Sequence, residues 1–148
     1  MNPVFPNSFV LVDTGLLSRF FLKKPQIVAA YNELLTSSVP VISASVYIEL
    51  MRWLVNIRGR IVDPISKSEF DAIRRQLDKY VQLNHGDCIE LAVEVCRLYL
   101  DTGLGDCFTI GVGLFFDIPV FTLNQKHFER VAGLRLYRPS NYELLETN

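Results

Sequence analysis

The sequence has few of the residues that mark disulfide-rich, zinc-binding or membrane proteins. Its 148 residues include three cysteines and two histidines. The cysteines form no C-x-x-C pair and the histidines are not spaced from them as zinc ligands are, so neither a disulfide framework nor a zinc site is expected. The longest apolar run, near residues 110–116, ends before Asp117 and Pro119. It is far shorter than the ~20 residues of a membrane-spanning helix.

The chain also has no large excess of positive or negative charge. The chain has 15 Lys and Arg against 16 Asp and Glu, a net charge of -1. Any contact with nucleic acid must therefore come from a local basic patch. A secretory leader is not expected, because Asn2, Pro3, Pro6 and Asn7 interrupt the start of the chain. These features predict a cytoplasmic protein with no membrane segment.

The three cysteines, Cys88, Cys96 and Cys107, lie in apolar helical stretches and are expected to be buried thiols of a reducing compartment. With 49% apolar residues, the chain is long enough to bury a sizeable core. It contains no linker or repeat that would divide it. We therefore predict one domain over residues 1–148, with a core at about 8–137 and a short polar tail.

Short apolar runs alternate with helical patterns along the chain. The runs predict strands at residues 8–12, 39–42, 81–83, 120–122 and 134–137. Between them, apolar residues recur at helical spacing, and Ser66 and Glu69 fit a capping box at one helix start. Strands separated by helices predict an α/β protein, with a parallel sheet covered by helices on both faces.

Four polar residues stand at informative places in this pattern. Asp13 follows the first strand, Asn124 follows the fourth, and Asp106 lies in the first turn of an apolar helix. Glu49 is an acid inside an otherwise apolar helix. Ordinary roles exist for each: helix caps for Asp13 and Asp106, a solvent-facing edge for Glu49, a turn for Asn124. However, ligands of open parallel sheets gather where the strands end, which favours a shared site.

These motifs resemble the PIN domain, and within it the VapC-type ribonuclease toxins of toxin–antitoxin pairs. The resemblance runs from about residue 8 to residue 137. It implies a three-layer α/β/α, PIN-like fold with a central parallel sheet of about four to five strands. The motifs that carry it are Val12-Asp13-Thr14, Glu49 within the helix 46–54, Asp106 at the start of its helix, and Phe121-Thr122-Leu123-Asn124 followed by His127-Phe128.

The resemblance implies a metal-dependent endoribonuclease in which Asp13, Glu49 and Asp106 gather around Mg²⁺ or Mn²⁺. Thr14 matches a hydroxyl residue of the same pattern, and Thr122 supports the site. Physical chemistry agrees with the ion: clustered carboxylates repel one another and call for a cation, and oxygen ligands suit Mg²⁺ or Mn²⁺ better than zinc.

Asn124 departs from the family pattern, which usually has a fourth acid at this place. Asparagine offers a carbonyl oxygen or orients a water but brings no charge, so a second metal ion would be held less tightly. Two interpretations follow. In the first, Asn124 joins the catalytic set of an active nuclease; in the second, the chain is a PIN-like module that binds RNA or a protein partner without cleavage.

Two basic residues and the resemblance indicate a substrate and partners. Arg52 and Lys126 are possible RNA contacts because they lie near Glu49 and Asn124, although solvated surface charge is the ordinary role of such residues. The resemblance implies an RNA substrate, a small antitoxin and a homodimer. A third interpretation, another doubly wound fold such as a haloacid-type phosphatase or a receiver domain, is disfavoured: the phosphatase needs an aspartate where Gly15 stands, and neither receiver motif is clear.

Overall fold

The structure is a computed structural model that describes residues 8–145. The segment of Asn2, Pro3, Pro6 and Asn7, on which the leader prediction rests, lies outside this range, as do residues 146–148. The strands are β1 (Ser8–Val12), β2 (Ser38–Ser43), β3 (Gln82–Leu83) and β4 (Val120–Phe121). The α-helices are α1 (Thr14–Phe21), α2 (Pro25–Leu35), α3 (Ala44–Arg58), α4 (Lys67–Leu77), α5 (Gly86–Leu98), α6 (Leu104–Phe116) and α7 (Gln125–Phe128), and a 3₁₀ turn spans Tyr142–Leu144.

The four strands form one parallel sheet in the order β3-β2-β1-β4. The first strand of the chain is therefore central, with Leu11 paired to Val41 on one side and to Val120 on the other. All four strands point the same way, so their carboxyl ends meet at one edge of the sheet. This edge carries the residues that directly follow β1, β2 and β4.

The strand predicted at residues 134–137 is wrong as a strand. Only Leu136 pairs with the sheet, through an isolated parallel bridge to Val120. The ladder is short because β4 itself has two residues and is preceded by Pro119, which has no N–H to donate. The sheet therefore has four strands within residues 8–145, at the lower end of the predicted range.

Alternation along β1 separates two cores. Val10 and Val12 face a cluster that includes side chains of α1, α2 and α3, whereas Leu11 faces a second cluster that includes side chains of α5 and α6. All three side chains are almost completely buried. Because successive side chains of a strand point to opposite faces, both faces of the sheet are covered. The predicted three-layer α/β/α architecture is confirmed.

The helix starts follow local chemistry. Ser43 ends β2 and caps α3, since its hydroxyl accepts from the N–H of Val46 at 3.2 Å. The predicted capping box of Ser66 and Glu69 opens α4. Ser43 therefore fixes the direction in which α3 leaves the edge of the sheet and, with it, the position of Glu49.

The helices contain the three cysteines and the longest apolar run of the chain. Cys88 and Cys107 are buried and Cys96 is partly buried, and all three are free thiols. None of the helices within residues 8–145 is long and apolar enough to cross a membrane.

Candidate active site

Asp13 lies where β1 ends and α1 begins. It is the N-cap of α1, and its Oδ1 accepts from the N–H of Thr14 at 2.8 Å. Its Oδ2 accepts from the hydroxyl of Thr122 at 2.7 Å, from the end of the neighbouring strand β4. The side chain is buried, with 5% of the residue exposed. The helix-cap alternative and the site prediction are therefore compatible for this residue.

Thr122 connects Asp13 to the loop after β4. Its hydroxyl also accepts from the backbone N–H of Asn124, at 2.9 Å. One buried hydroxyl thus fixes both the carboxylate of Asp13 and the start of the turn that carries Asn124. This agrees with the supporting role predicted for Thr122.

Asp106 and Asn124 are in direct contact. The Asn124 side-chain amide donates from Nδ2 to Oδ2 of Asp106 at 2.8 Å. The N-cap of α6 is Gly103, and no side chain caps that helix, so the capping alternative for Asp106 is wrong. Its place in the first turn still favours a negative charge, because the amino end of a helix is electropositive.

Glu49 reaches the site from α3. Its Oε1 accepts from the hydroxyl of Thr14 at 2.7 Å. The residue is exposed, as the alternative of a solvent-facing helix edge predicted. Its carboxylate also lies against the backbone of Gly105, where an added Cβ would be 2.5 Å from Oε2. A residue without a side chain is therefore needed at 105 for Glu49 to stay in this position.

These contacts join all six predicted catalytic and supporting residues in a closed ring, which we call the carboxylate ring. In order, the ring runs through Asp13, Thr122, Asn124, Asp106, Gly105, Glu49, Thr14 and back to Asp13. Four of its links are hydrogen bonds, the fifth is the approach of the Glu49 carboxylate to Gly105, and the peptide bonds 13–14 and 105–106 complete it. Residues far apart in sequence are thus brought to one edge of the sheet.

The charges in the ring oppose one another. Burial raises the pKa of Asp13 from 3.8 to about 7, and the negative charges of Asp106 and, more weakly, Glu49 add to this rise. Hydrogen bonds from Thr122 and Thr14 act in the opposite direction. Burial raises the pKa of Asp106 as well, against the hydrogen bond from Asn124. A cation among these groups would favour their charged forms.

The donors fit a hydrated hard cation better than a fully protein-bound one. Within residues 8–145, no three His, Cys, Asp or Glu side chains converge closely enough to hold a metal ion by themselves. Mg²⁺ usually keeps several waters and takes one or two carboxylates plus substrate phosphate. Asp13 and Asp106 supply two carboxylates, and their hydrogen-bond partners in the ring are hydroxyl and amide groups. This set of groups suits Mg²⁺ and not zinc.

The two predicted RNA-contact residues are exposed. Arg52 lies on α3, three residues beyond Glu49, and Lys126 lies on α7, two residues beyond Asn124. Their charged groups are therefore accessible to a ligand, and the RNA-contact role stays a prediction.

Sequence reasoning missed a hydroxyl cluster beneath Gly105. Ser45 donates to the carbonyl oxygen of Gly105 at 3.2 Å and lies 3.2 Å from the hydroxyl of Thr109. Thr109 in turn contacts the hydroxyl of Ser43 at 2.9 Å. The cluster ties the start of α3 to the first turns of α6, which sets the distance between Glu49 and Asp106. Two serines next to a strand end are the available signal in the sequence.

Comparison with known proteins extends this description. No family model matches the chain, and no curated protein matches it. The fold is similar to the structure of VapBC2 from Rickettsia felis bound to a DNA fragment from their promoter, with a TM-score of 0.69 and 18% identity over 87% of this chain and 97% of the other. It is also similar to VapBC-1 from nontypeable Haemophilus influenzae (TM-score 0.67, 18% identity, 87% and 96% covered) and to DNA-bound VapBC from Salmonella typhimurium (TM-score 0.66, 18% identity, 88% and 97% covered).

This chain has the PIN-like fold of VapC-type toxins. The likeness spans nearly the whole of each matched chain, so it concerns the complete architecture and not a shared substructure. At 18% identity it establishes the fold, and the resemblance drawn from the sequence motifs is confirmed at that level.

Proposed function

We propose that this protein is a Mg²⁺- or Mn²⁺-dependent endoribonuclease and the toxin component of a toxin–antitoxin pair. The proposal rests chiefly on the carboxylate ring, in which Asp13, Glu49, Asp106 and Asn124 are linked at the carboxyl edge of the sheet. It is supported by the similarity of the fold to VapBC structures.

Five residues of the ring have a part that follows from their surroundings. Asp13 is a buried carboxylate and Asp106 is a partly buried one, and these two would hold the cation. Thr14 and Thr122 fix the neighbouring oxygens. Glu49 is exposed and can approach the cation or its waters from the solvent side. When bound, Mg²⁺ or Mn²⁺ would acidify a water for in-line attack and offset charge on the phosphate oxygens.

Binding of Mn²⁺, measured by calorimetry on wild type and Asp106→Asn, tests the metal site. If Asp106 is a ligand, the variant should lose affinity about tenfold or more. Asp71→Asn is the matched control, because Asp71 pairs with Lys67 on α4 and is not part of the ring. Equal affinity in Asp106→Asn and wild type would remove Asp106 from the ligand set.

Cleavage of single-stranded RNA with Mg²⁺ or Mn²⁺ tests the activity. Cleavage by wild type that is lost in Asp13→Ala would support the nuclease. The chief competing function, a PIN-like module that binds without cutting, is favoured by one observation: Asn124 donates a hydrogen bond to Asp106 where a fourth acid is usual. If wild type is inactive and Asn124→Asp cuts RNA, that competing function is correct.

We also propose that the chain forms a homodimer and is held by a small antitoxin. A groove of about 760 Å³ between α1, α2 and α4 offers a surface for such a partner, lined by Phe20, Val28 and Ile73 among others. Co-expression of an adjacent antitoxin gene should relieve growth arrest caused by this protein.

The antitoxin surface can be tested without disturbing the core. Ala29 is exposed and lines the groove, so Ala29→Arg should weaken the complex. Ala132 is also exposed but does not line the groove, so Ala132→Arg should not weaken it. Equal binding by both variants would place the antitoxin elsewhere.

A further inference from the structure

His127 lies beside the carboxylate ring, one helical turn beyond Asn124. The Nδ1 atom of its imidazole is 3.4 Å from Nδ2 of Asn124. On the other side of the imidazole, Nε2 of His127 is 3.6 Å from Oδ2 of Asp101. The side chain is 25% exposed.

The hydrogen atoms in this arrangement can be assigned from chemistry. An ionised carboxylate only accepts hydrogen bonds, so Asn124 must turn its NH₂ group, and not its carbonyl oxygen, toward Asp106. The same NH₂ group faces Nδ1 of His127, which must then accept. The ring proton of a neutral His127 therefore lies on Nε2, the atom that faces the carboxylate of Asp101.

Asp101 is itself held in place. Arg130 donates to both of its carboxylate oxygens, at 2.5 and 3.2 Å, and also to the hydroxyl of Thr102 at 2.7 Å. The Arg130 guanidinium lies 4.8 Å from the centre of the Tyr99 ring. The carboxylate is thus oriented by a two-pronged contact, which is the geometry that Arg and Asp favour. The acceptor that faces Nε2 is fixed from outside the carboxylate ring.

We propose that His127 is a positioning residue, held by Asp101, that fixes the side-chain amide of Asn124 with its NH₂ group toward Asp106. The proposal rests on the proposed function, because it assigns His127 a role at the same site. The carbonyl oxygen Oδ1 of Asn124 takes no part in these bonds and stays available to a substrate or a water. An aspartate at 124 would instead put a second carboxylate beside Asp106, and like charges at that separation repel.

The position of the His127 ring proton is the direct test. A ¹H–¹⁵N spectrum of imidazole couplings, recorded on labelled protein at about pH 8, shows which nitrogen carries it. The chain has only two histidines, and His85→Asn identifies their signals. His85 caps α5, a role that asparagine fulfils well, so this variant keeps its fold.

We expect the proton of His127 on Nε2 in wild type. In Asn124→Asp the new carboxylate requires a donor, so the proton should appear on Nδ1, while the signals of His85 stay unchanged. A proton on Nδ1 in wild type would overturn the proposal, and so would a His127 spectrum that is the same in wild type and Asn124→Asp. If Asn124→Asp does not fold, a proton on Nδ1 in wild type would still overturn the proposal.

RNA cleavage gives a second reading of the same proposal. His127→Ala should lower kcat about tenfold with little change in KM, as loss of a group behind an active-site residue typically does. It should have no further effect in an Asn124→Ala background, and His85→Asn should cleave as wild type does. Full activity in His127→Ala would exclude the positioning role. If wild type cuts no RNA, the nuclease proposal fails, and the spectrum still decides the role of His127.

Discussion

Gly105 and Gly111 lie nearly two turns apart on α6, and each leaves room for a different kind of neighbour. At Gly105 the neighbour is the end of a flexible, exposed side chain, the carboxylate of Glu49. At Gly111 it is rigid backbone: an added Cβ would be 2.7 Å from the carbonyl oxygen of Cys88 and 3.0 Å from the nitrogen of Ala92, both on α5. The same residue type serves the site at one place and helix packing at the other.

The difference indicates how this small fold separates activity from stability. The first turn of α6 meets the carboxylate ring, and the turns that follow pack against α5 and the sheet. Changes at the first turn should therefore alter chemistry with little effect on folding, and changes further along should do the reverse. Substitutions at both ends of α6 and in the carboxylate ring test that separation.

Asp13→Asn should produce the largest loss of activity and, unlike a core change, no loss of stability. We expect metal-dependent RNA cleavage to fall about 100-fold or more, since the proposed function makes this buried carboxylate a ligand of the cation. The free energy of unfolding, measured in urea near neutral pH without metal, should rise because the buried negative charge of Asp13 and its repulsion by Asp106 are removed. A variant that cleaves normally would contradict the site.

The same carboxylate should give the metal-free protein a pH-dependent stability. Its pKa in the folded state is about 7, against an ordinary 3.8, so the folded protein keeps this proton longer than the unfolded chain does. The contribution of Asp13 to stability is therefore present below about pH 4 and is lost as pH rises through about 7. Urea unfolding across this range should show a smaller decline in Asp13→Asn, and an equal decline would assign the effect to other groups.

Gly111→Ala should have the largest effect on folding. The added methyl meets backbone that cannot move without shifting α5, and overpacking of this kind costs ~1–3 kcal/mol. Thermal and urea unfolding measure the loss. RNA cleavage per folded molecule should match wild type, and a selective loss of activity would show that the two ends of α6 are not independent.

Gly105→Ala is the matched opposite. Alanine is a better helix former than glycine by ~0.5–1 kcal/mol, so stability should be unchanged or slightly higher. The methyl group would displace the Glu49 carboxylate, and cleavage should drop about tenfold. If Gly105→Ala destabilises the protein as Gly111→Ala does, the comparison between the two glycines fails.

Arg52→Ala and Lys126→Ala should have the smallest effects. Both residues are exposed, so neither stability nor kcat should change much. Loss of one phosphate contact should raise KM for RNA about threefold at low salt, with less effect at high salt. Lys79→Ala, at an exposed lysine that follows α4, is the control for a general loss of positive charge. Indistinguishable KM values in all three variants would exclude Arg52 and Lys126 as RNA contacts.

Most of the fold could be predicted because its signals are local. The apolar runs of β1 and β2 and the capping box of Ser66 each depend on near neighbours in sequence. The strand predicted at 134–137 could not be corrected in this way, since its pairing depends on the length of β4. Sequence pattern indicates that a segment is extended, but not whether a partner is long enough to pair with it.

The site divides in the same manner. Asp13, Asp106 and Asn124 could be singled out because each stands at the end of a strand or the start of a helix. The link from Asn124 through His127 to Asp101 could not, because Asp101 belongs to a loop whose approach to α7 is a matter of tertiary packing. The spacing of Asn124 and His127, three residues apart on a helix start, was the only local signal.

The cap that Asp13 provides to α1 has a practical consequence. Asparagine accepts the hydrogen bond of a helix N-cap as well as aspartate does, so Asp13→Asn leaves the entry to α1 intact. The variant should therefore be an inert trap, able to hold an uncut oligonucleotide long enough for co-crystallisation. Under the proposed function, the residue whose charge is expected to matter most for turnover is also the one whose replacement best preserves the scaffold.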